Sequence, residues 1–131
     1  MVNHISEIIN DIKSCWSEET AMNPDTWNID NPSKDQCAVT AALIFELADI
    51  PVVRGIAHLP DGSTDSHYWN QGIDVTKDQY PDGTRIEIRD GPQGEEAYDY
   101  LLQNPDLVRR LDVLRKKYEE VIKNEADDPA I

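Results

Sequence analysis

Asn31-Pro32-Ser33-Lys34-Asp35-Gln36-Cys37-Ala38-Val39-Thr40-Ala41-Ala42-Leu43 is the stretch that decides the fold, because within it a loop becomes a helix with a thiol in the first turn. The run Ala38 to Ala48 is apolar almost all round, so it reads as a central buried helix that Pro51 ends. A helix N-terminus carries about half a positive charge, which favours thiolate over thiol at Cys37. Further along the chain come His67, in Ser66-His67-Tyr68-Trp69-Asn70, and Asp74, in Gly72-Ile73-Asp74-Val75-Thr76.

The chain around this segment predicts an α+β architecture. Ile5, Ile8, Ile9, Ile12 and Trp16 recur at helical spacing and predict an N-terminal helix over 4–16. A loop rich in Asn, Pro and Asp runs from Glu18 to Gln36 and contains Trp27; so long a stretch without periodicity is often functional. Pro51 to His58 is β-branched enough for a strand, and Asp65 to Asn70 for a second. Gln71-Gly72 reads as a tight turn into a third strand, Ile73 to Thr76, and Arg85 to Arg89 alternates like a short edge strand. Helices are expected over 95–103 and 105–124, the longer with Leu107, Leu111, Leu114, Tyr118 and Val121 as its buried stripe, before fraying at Asp127-Asp128-Pro129. The expectation is a single domain over 1–131: an N-terminal helix, a core over 37–90 with the Cys-bearing helix on a small antiparallel sheet, and flanking C-terminal helices.

The strand register tests the chemistry. A two-residue loop at Gln71-Gly72 pairs Asn70 with Ile73, Trp69 with Asp74 and His67 with Thr76, leaving His67, Trp69 and Asp74 on one face. His67 and Asp74 are then diagonal neighbours within hydrogen-bonding reach; a three-residue loop would reverse the parity. With that face, Cys37 is the nucleophile, His67 the base that takes and returns the proton, and Asp74 the group that fixes the imidazole. The Cys37 amide is a natural oxyanion donor, with Gln36 or Asn31 as candidates for a second hydrogen bond. Trp69 and Trp27 are candidate walls of the site, and Asn70 is a rival third member. The structural alternatives are plain: Cys37 as a small core residue, His67 as a packed strand histidine, and Asp74 as a cap on a turn near Thr76.

Composition narrows the classes. The net charge of −14 excludes a nucleic-acid partner, which needs clustered Lys and Arg; it permits a basic protein partner or simple solubility. No apolar run approaches the roughly 20 residues of a membrane span, and the N-terminus does not read as a signal peptide. A cytoplasmic protein is expected, with Cys15 and Cys37 both reduced. Cys37, His58 and His67 lack the close ligand pair of a zinc site, and no phosphate loop or Gly-x-Ser-x-Gly motif is present, so neither metal nor cofactor is expected.

Cys, then His, then Asp is also the chain order of papain-like and transglutaminase-like cysteine enzymes. Cys15-Trp16, Asn31-Pro32, Asp35-Gln36-Cys37-Ala38-Val39-Thr40-Ala41, His67-Tyr68-Trp69-Asn70 and Ile73-Asp74-Val75-Thr76-Lys77-Asp78-Gln79-Tyr80 resemble the bacterial YunG-like family. Its members carry Gly-Gln-Cys-x-x-Thr-Ala, His-Tyr-Trp-Asn and Asp-hydrophobic-Thr-x-x-Gln-aromatic segments. The chain departs at Asp35, where glycine is usual, placing a negative charge two residues before the thiol. The resemblance implies a papain-like or transglutaminase-like core and the same Cys, His and Asp positions, without a substrate. The expected function is cysteine-dependent acyl transfer on a peptide or protein, as a peptidase, amidase or transglutaminase-like enzyme. The alternative is an acidic, non-catalytic module that binds a basic protein.

Overall fold

The structure, a computed structural model, describes residues 5–127. Helix α1 spans Ile5–Lys13 and buries Ile8 and Ile12. The expected start at His4 lies outside the described residues. The helix ends before Trp16 because the Ser14 hydroxyl (2.6 Å) and the Cys15 thiol (3.2 Å) both donate to the Asp11 carbonyl. Side chains that compete for a helical carbonyl weaken the next turn. Cys15 and Trp16 still reach the core, and Trp16 Nε1 donates to Thr40 Oγ1 at 2.9 Å.

Helix α2, Cys37–Ala48, is buried on every side from Val39 to Ile44. It stops at Asp49, which is left-handed at φ 57° and donates its N–H to the Phe45 carbonyl, ahead of Pro51. Strands β1 (Val52–His58), β2 (Thr64–Asn70) and β3 (Arg85–Ile88) form an antiparallel sheet in the order β2-β1-β3. The alternating Arg85 segment therefore occupies the edge beyond β1. Helix α3 covers Glu95–Leu101, stopping short of Gln103, and α4 covers Pro105–Asp127, running past Asn124. The break between them has a local cause. Pro105 opens α4, and Asn104 Oδ1 accepts the N–H groups of Asp106 (2.9 Å) and Leu107 (3.3 Å), capping the helix.

Ile12, Leu43, Ile44, Val52, Leu101, Leu107, Leu111 and Leu114 meet in one hydrophobic cluster spanning α1, α2, β1, α3 and α4. Burying side chains of this kind contributes about 1.5–3 kcal/mol each. The fold class is thus α+β: among the described residues, four α-helices and a small three-stranded antiparallel sheet. Among the described residues, no helix is long and apolar enough to cross a membrane.

One predicted element is corrected. Ile73 to Thr76 is not a strand. The Gln71-Gly72 turn is present, with Gly72 at φ 80°, and Asn70 and Ile73 exchange hydrogen bonds of 3.1 and 2.8 Å. Pairing ends with that bridge. Thr76 instead accepts a hydrogen bond from Gln79 Nε2 (3.1 Å) at the head of a 3-10 turn, Lys77–Gln79.

Candidate active site

Cys37 is the first residue of α2, half-buried, and its sulfur is free of any disulfide to Cys15. The approach to it is shaped by Asp35, which is left-handed at φ 61°. Glycine takes this conformation without strain, which explains why glycine suits the position; Asp is among the few other residues that tolerate it. The Asp35 amide donates to Gln79 Oε1 (3.2 Å), and its carbonyl accepts the Met22 amide (3.0 Å). Lys34 Nζ lies 3.3 Å from Asp35 Oδ2 and offsets the negative charge beside the thiol.

Gln36 stands at the N-cap but does not cap with its side chain. Fully buried, its Oε1 accepts the Thr20 hydroxyl (2.7 Å) and its Nε2 donates to the Ser17 carbonyl (3.0 Å). This corrects its expected place as an oxyanion donor: the amide ties the long loop to the start of α2. With the cap side chain turned away, the Cys37 amide donates no hydrogen bond among the described residues. Asn31 reaches the Gln79 carbonyl and Ser33 Oγ, both at 3.5 Å, and neither contact involves Cys37 or His67.

His67 lies opposite Gly55 in β1 and is fully buried. Its Nε2 is 2.8 Å from Asp74 Oδ2. Trp69 stacks on the ring at 5.3 Å, and Tyr80 meets it edge-on at 5.2 Å. Trp69 can lie there because Gly55 has no Cβ; one would fall 2.5 Å from the indole. The route that brings Asp74 to His67 is not the expected strand ladder. The single Asn70–Ile73 bridge reverses the chain, and Asp74 then meets the ring from a turn.

Burial pushes the His67 pKa down, but the hydrogen bond to Asp74 and the neighbouring Cys37, with the negative charges of both, outweigh it. The result rises from 6.5 to about 9. The ring is therefore an imidazolium at neutral pH. Asp74 Oδ1 is buried with no hydrogen-bond partner among the described residues, so the carboxylate is directed at one donor. With Nε2 committed to Asp74, Nδ1 is the nitrogen left, 3.5 Å from the Tyr80 oxygen.

Asn70 is buried apart from this ring. Its Nδ2 donates to the carbonyls of Ala41 and Ile50, both at 3.0 Å, which corrects its expected site-lining place: it fastens β2 to α2. Trp27 bonds through Nε1 to the Pro32 carbonyl within its own loop. His58 pairs with Glu87 at 2.8 Å.

Two residues went unassigned in the sequence reading. Tyr80 donates to Asp65 Oδ2 (2.9 Å) and its oxygen lies 3.5 Å from His67 Nδ1. Burial pushes its phenol far up, with the charges of Cys37 and Asp65 adding, so it is a neutral donor beside the ring. Gln79 links Asp35 to Thr76. The signal for both was the Asp-hydrophobic-Thr-x-x-Gln-aromatic pattern: Gln79 and Tyr80 bond to Asp35 and Asp65, and Thr76 holds Gln79.

A family model described as YunG protein matches residues 4–123. No match was found among curated proteins or among solved structures. The matched span covers most of the chain and includes all the residues around Cys37 and His67, and the chain belongs to the YunG family.

Proposed function

We propose that the protein is a cysteine-dependent acyl-transfer enzyme on a papain-like or transglutaminase-like core, with Cys37, His67 and Asp74 as its working residues. The observation that carries this reading is the buried His67 ring held at 2.8 Å by Asp74, with a thiol at a helix start near enough to help raise the pKa of the ring. The Cys37 thiolate attacks the carbonyl carbon of an amide or ester, and the carbonyl oxygen becomes an oxyanion facing the Cys37 amide. As the carbon–nitrogen or carbon–oxygen bond breaks, the imidazolium gives its proton to the leaving group, and a thioester remains. Water or an amine, losing its proton to His67, then displaces the sulfur and restores the pair. Asp74 holds the ring in one orientation throughout. A free thiol of this kind fits a cytoplasmic setting.

Alkylation by iodoacetamide tests this. Cys37 should react at neutral pH at least about tenfold faster than Cys15, whose thiol is buried and pushed up by that burial. His67→Ala should slow Cys37 alone. Equal rates at the two cysteines, unchanged in His67→Ala, would remove the basis for the reading. The charge of −14 favours a second reading, an acidic module for a basic protein partner. That module would lose affinity steeply with added salt and show no difference between the thiols.

A further inference from the structure

The Cys37 cavity does not stand alone. A pocket of about 70 Å³ at the sulfur and a groove of about 430 Å³ share Met22, Ala38, Ser66, Tyr68 and Arg110 as walls. Ala38 follows Cys37 directly, so the groove begins one residue from the thiol. Its floor is apolar: Leu101 and Leu107 belong to the core, and their groove-facing surface is continuous with it. Its rim carries Met22 and Tyr100, which are 59% and 46% exposed. A volume of this size is that of a small-ligand pocket.

The charges at the two ends differ. Arg110, 3% exposed, has Nε 2.9 Å from Asp106 Oδ2 and Nη1 3.5 Å from the Thr20 carbonyl, so its charge is matched inside the protein. At the Cys37 end stand Asp35 and Asp65. Lys34 offsets Asp35, whereas the Asp65 carboxylate, among the described residues, bonds to the neutral Tyr80 hydroxyl and to no cation. An acidic group placed beside the sulfur would therefore be repelled, and an apolar group would find Leu101, Leu107 and Tyr68 to bury against.

We propose that this groove is the substrate subsite beside Cys37 and that it takes a large apolar or aromatic side chain within one residue of the reacting carbonyl. The substrate is then a peptide-like amide with a bulky apolar group and no carboxylate at that position. The inference rests on the cysteine chemistry proposed above. Its test compares labelling of Cys37 by chloroacetamides carrying a phenylethyl, a methyl or a carboxyethyl group, each rate normalised to that with glutathione. The phenylethyl reagent should label at least about tenfold faster than the methyl one, and the carboxyethyl reagent slowest. Met22→Ala and Tyr100→Ala, both at the exposed rim, should each lower the phenylethyl-to-methyl ratio by about threefold or more. Rapid labelling of Cys37 with phenylethyl and methyl rates within about twofold, or a ratio that neither variant moves, overturns the subsite while leaving the chemistry standing. Labelling of Cys37 no faster than Cys15 by any reagent overturns both.

Discussion

Replacing Asp74 by Asn preserves the size of the side chain and removes the charge that faces His67 across 2.8 Å. The native ring holds its proton to about pH 9, against 6.5 when free, which corresponds to about 3 kcal/mol of preference for the charged form. Cys37 supplies part of that preference, so Asp74→Asn should remove roughly 2 kcal/mol. The sign with pH follows from proton counts. Below about pH 6.5 the imidazole is protonated in both the native and the unfolded chain, and the wild type keeps the whole advantage. Between about 6.5 and 9 the unfolded ring loses its proton while the native ring keeps it, so the unfolding free energy falls as pH rises. Above about 9 the advantage has gone. Urea unfolding followed by tryptophan fluorescence should therefore find Asp74→Asn less stable by about 2 kcal/mol near pH 6 and close to wild type near pH 10. A deficit equal at both pH values would refute the reasoning, as would a His67 resonance that titrates near 6.5 in the wild type.

Gly55→Ala places a Cβ 2.5 Å from both the Glu87 carbonyl and the Trp69 ring; because one neighbour is backbone, the cost should be about 2–3 kcal/mol, and unfolding at wild-type denaturant concentration would contradict it. Asn70→Ala leaves the Ala41 and Ile50 carbonyls without their side-chain donor and should cost about 2–3 kcal/mol by the same assay; a loss under about 0.5 kcal/mol would show that the two bonds contribute little. Asp35→Gly relieves a left-handed Asp and should leave stability unchanged or raise it by up to about 1 kcal/mol, since the Asp35 amide bond to Gln79 survives; a thermal midpoint well below wild type would argue against this.

The elements that could be read from the sequence are those whose burial repeats at a fixed period. Ile8 and Ile12 announce α1, Leu107, Leu111 and Leu114 announce α4, and the uninterrupted apolar run after Cys37 announces α2. Ile73 to Thr76 misled because β-branched residues next to a hairpin turn satisfy strand propensity. What ended the pairing was a side-chain bond between Thr76 and Gln79, which periodicity does not register. His67 and Asp74 still meet, since one bridge at Asn70–Ile73 is enough to bring Asp74 back to the ring. Gln36 and Asn70 show the opposite failure. Position in the chain put them near the thiol and the imidazole, but a buried amide goes where unpaired carbonyls are. For Gln36 that was Ser17, and for Asn70 it was Ala41 and Ile50. Asp65 and Gly55 carried no local signal, because their importance lies in what Tyr80 and Trp69 do above them.

Trapping of a thioester puts the central claim to its most direct test. The protein is mixed with p-nitrophenyl 3-phenylpropanoate, quenched in acid and mapped by peptide mass spectrometry. The account predicts one phenylpropanoyl group on Cys37, released by hydroxylamine, absent in Cys37→Ala and sharply reduced in His67→Ala. An unmodified Cys37, or acylation shared equally between Cys15 and Cys37, would contradict it.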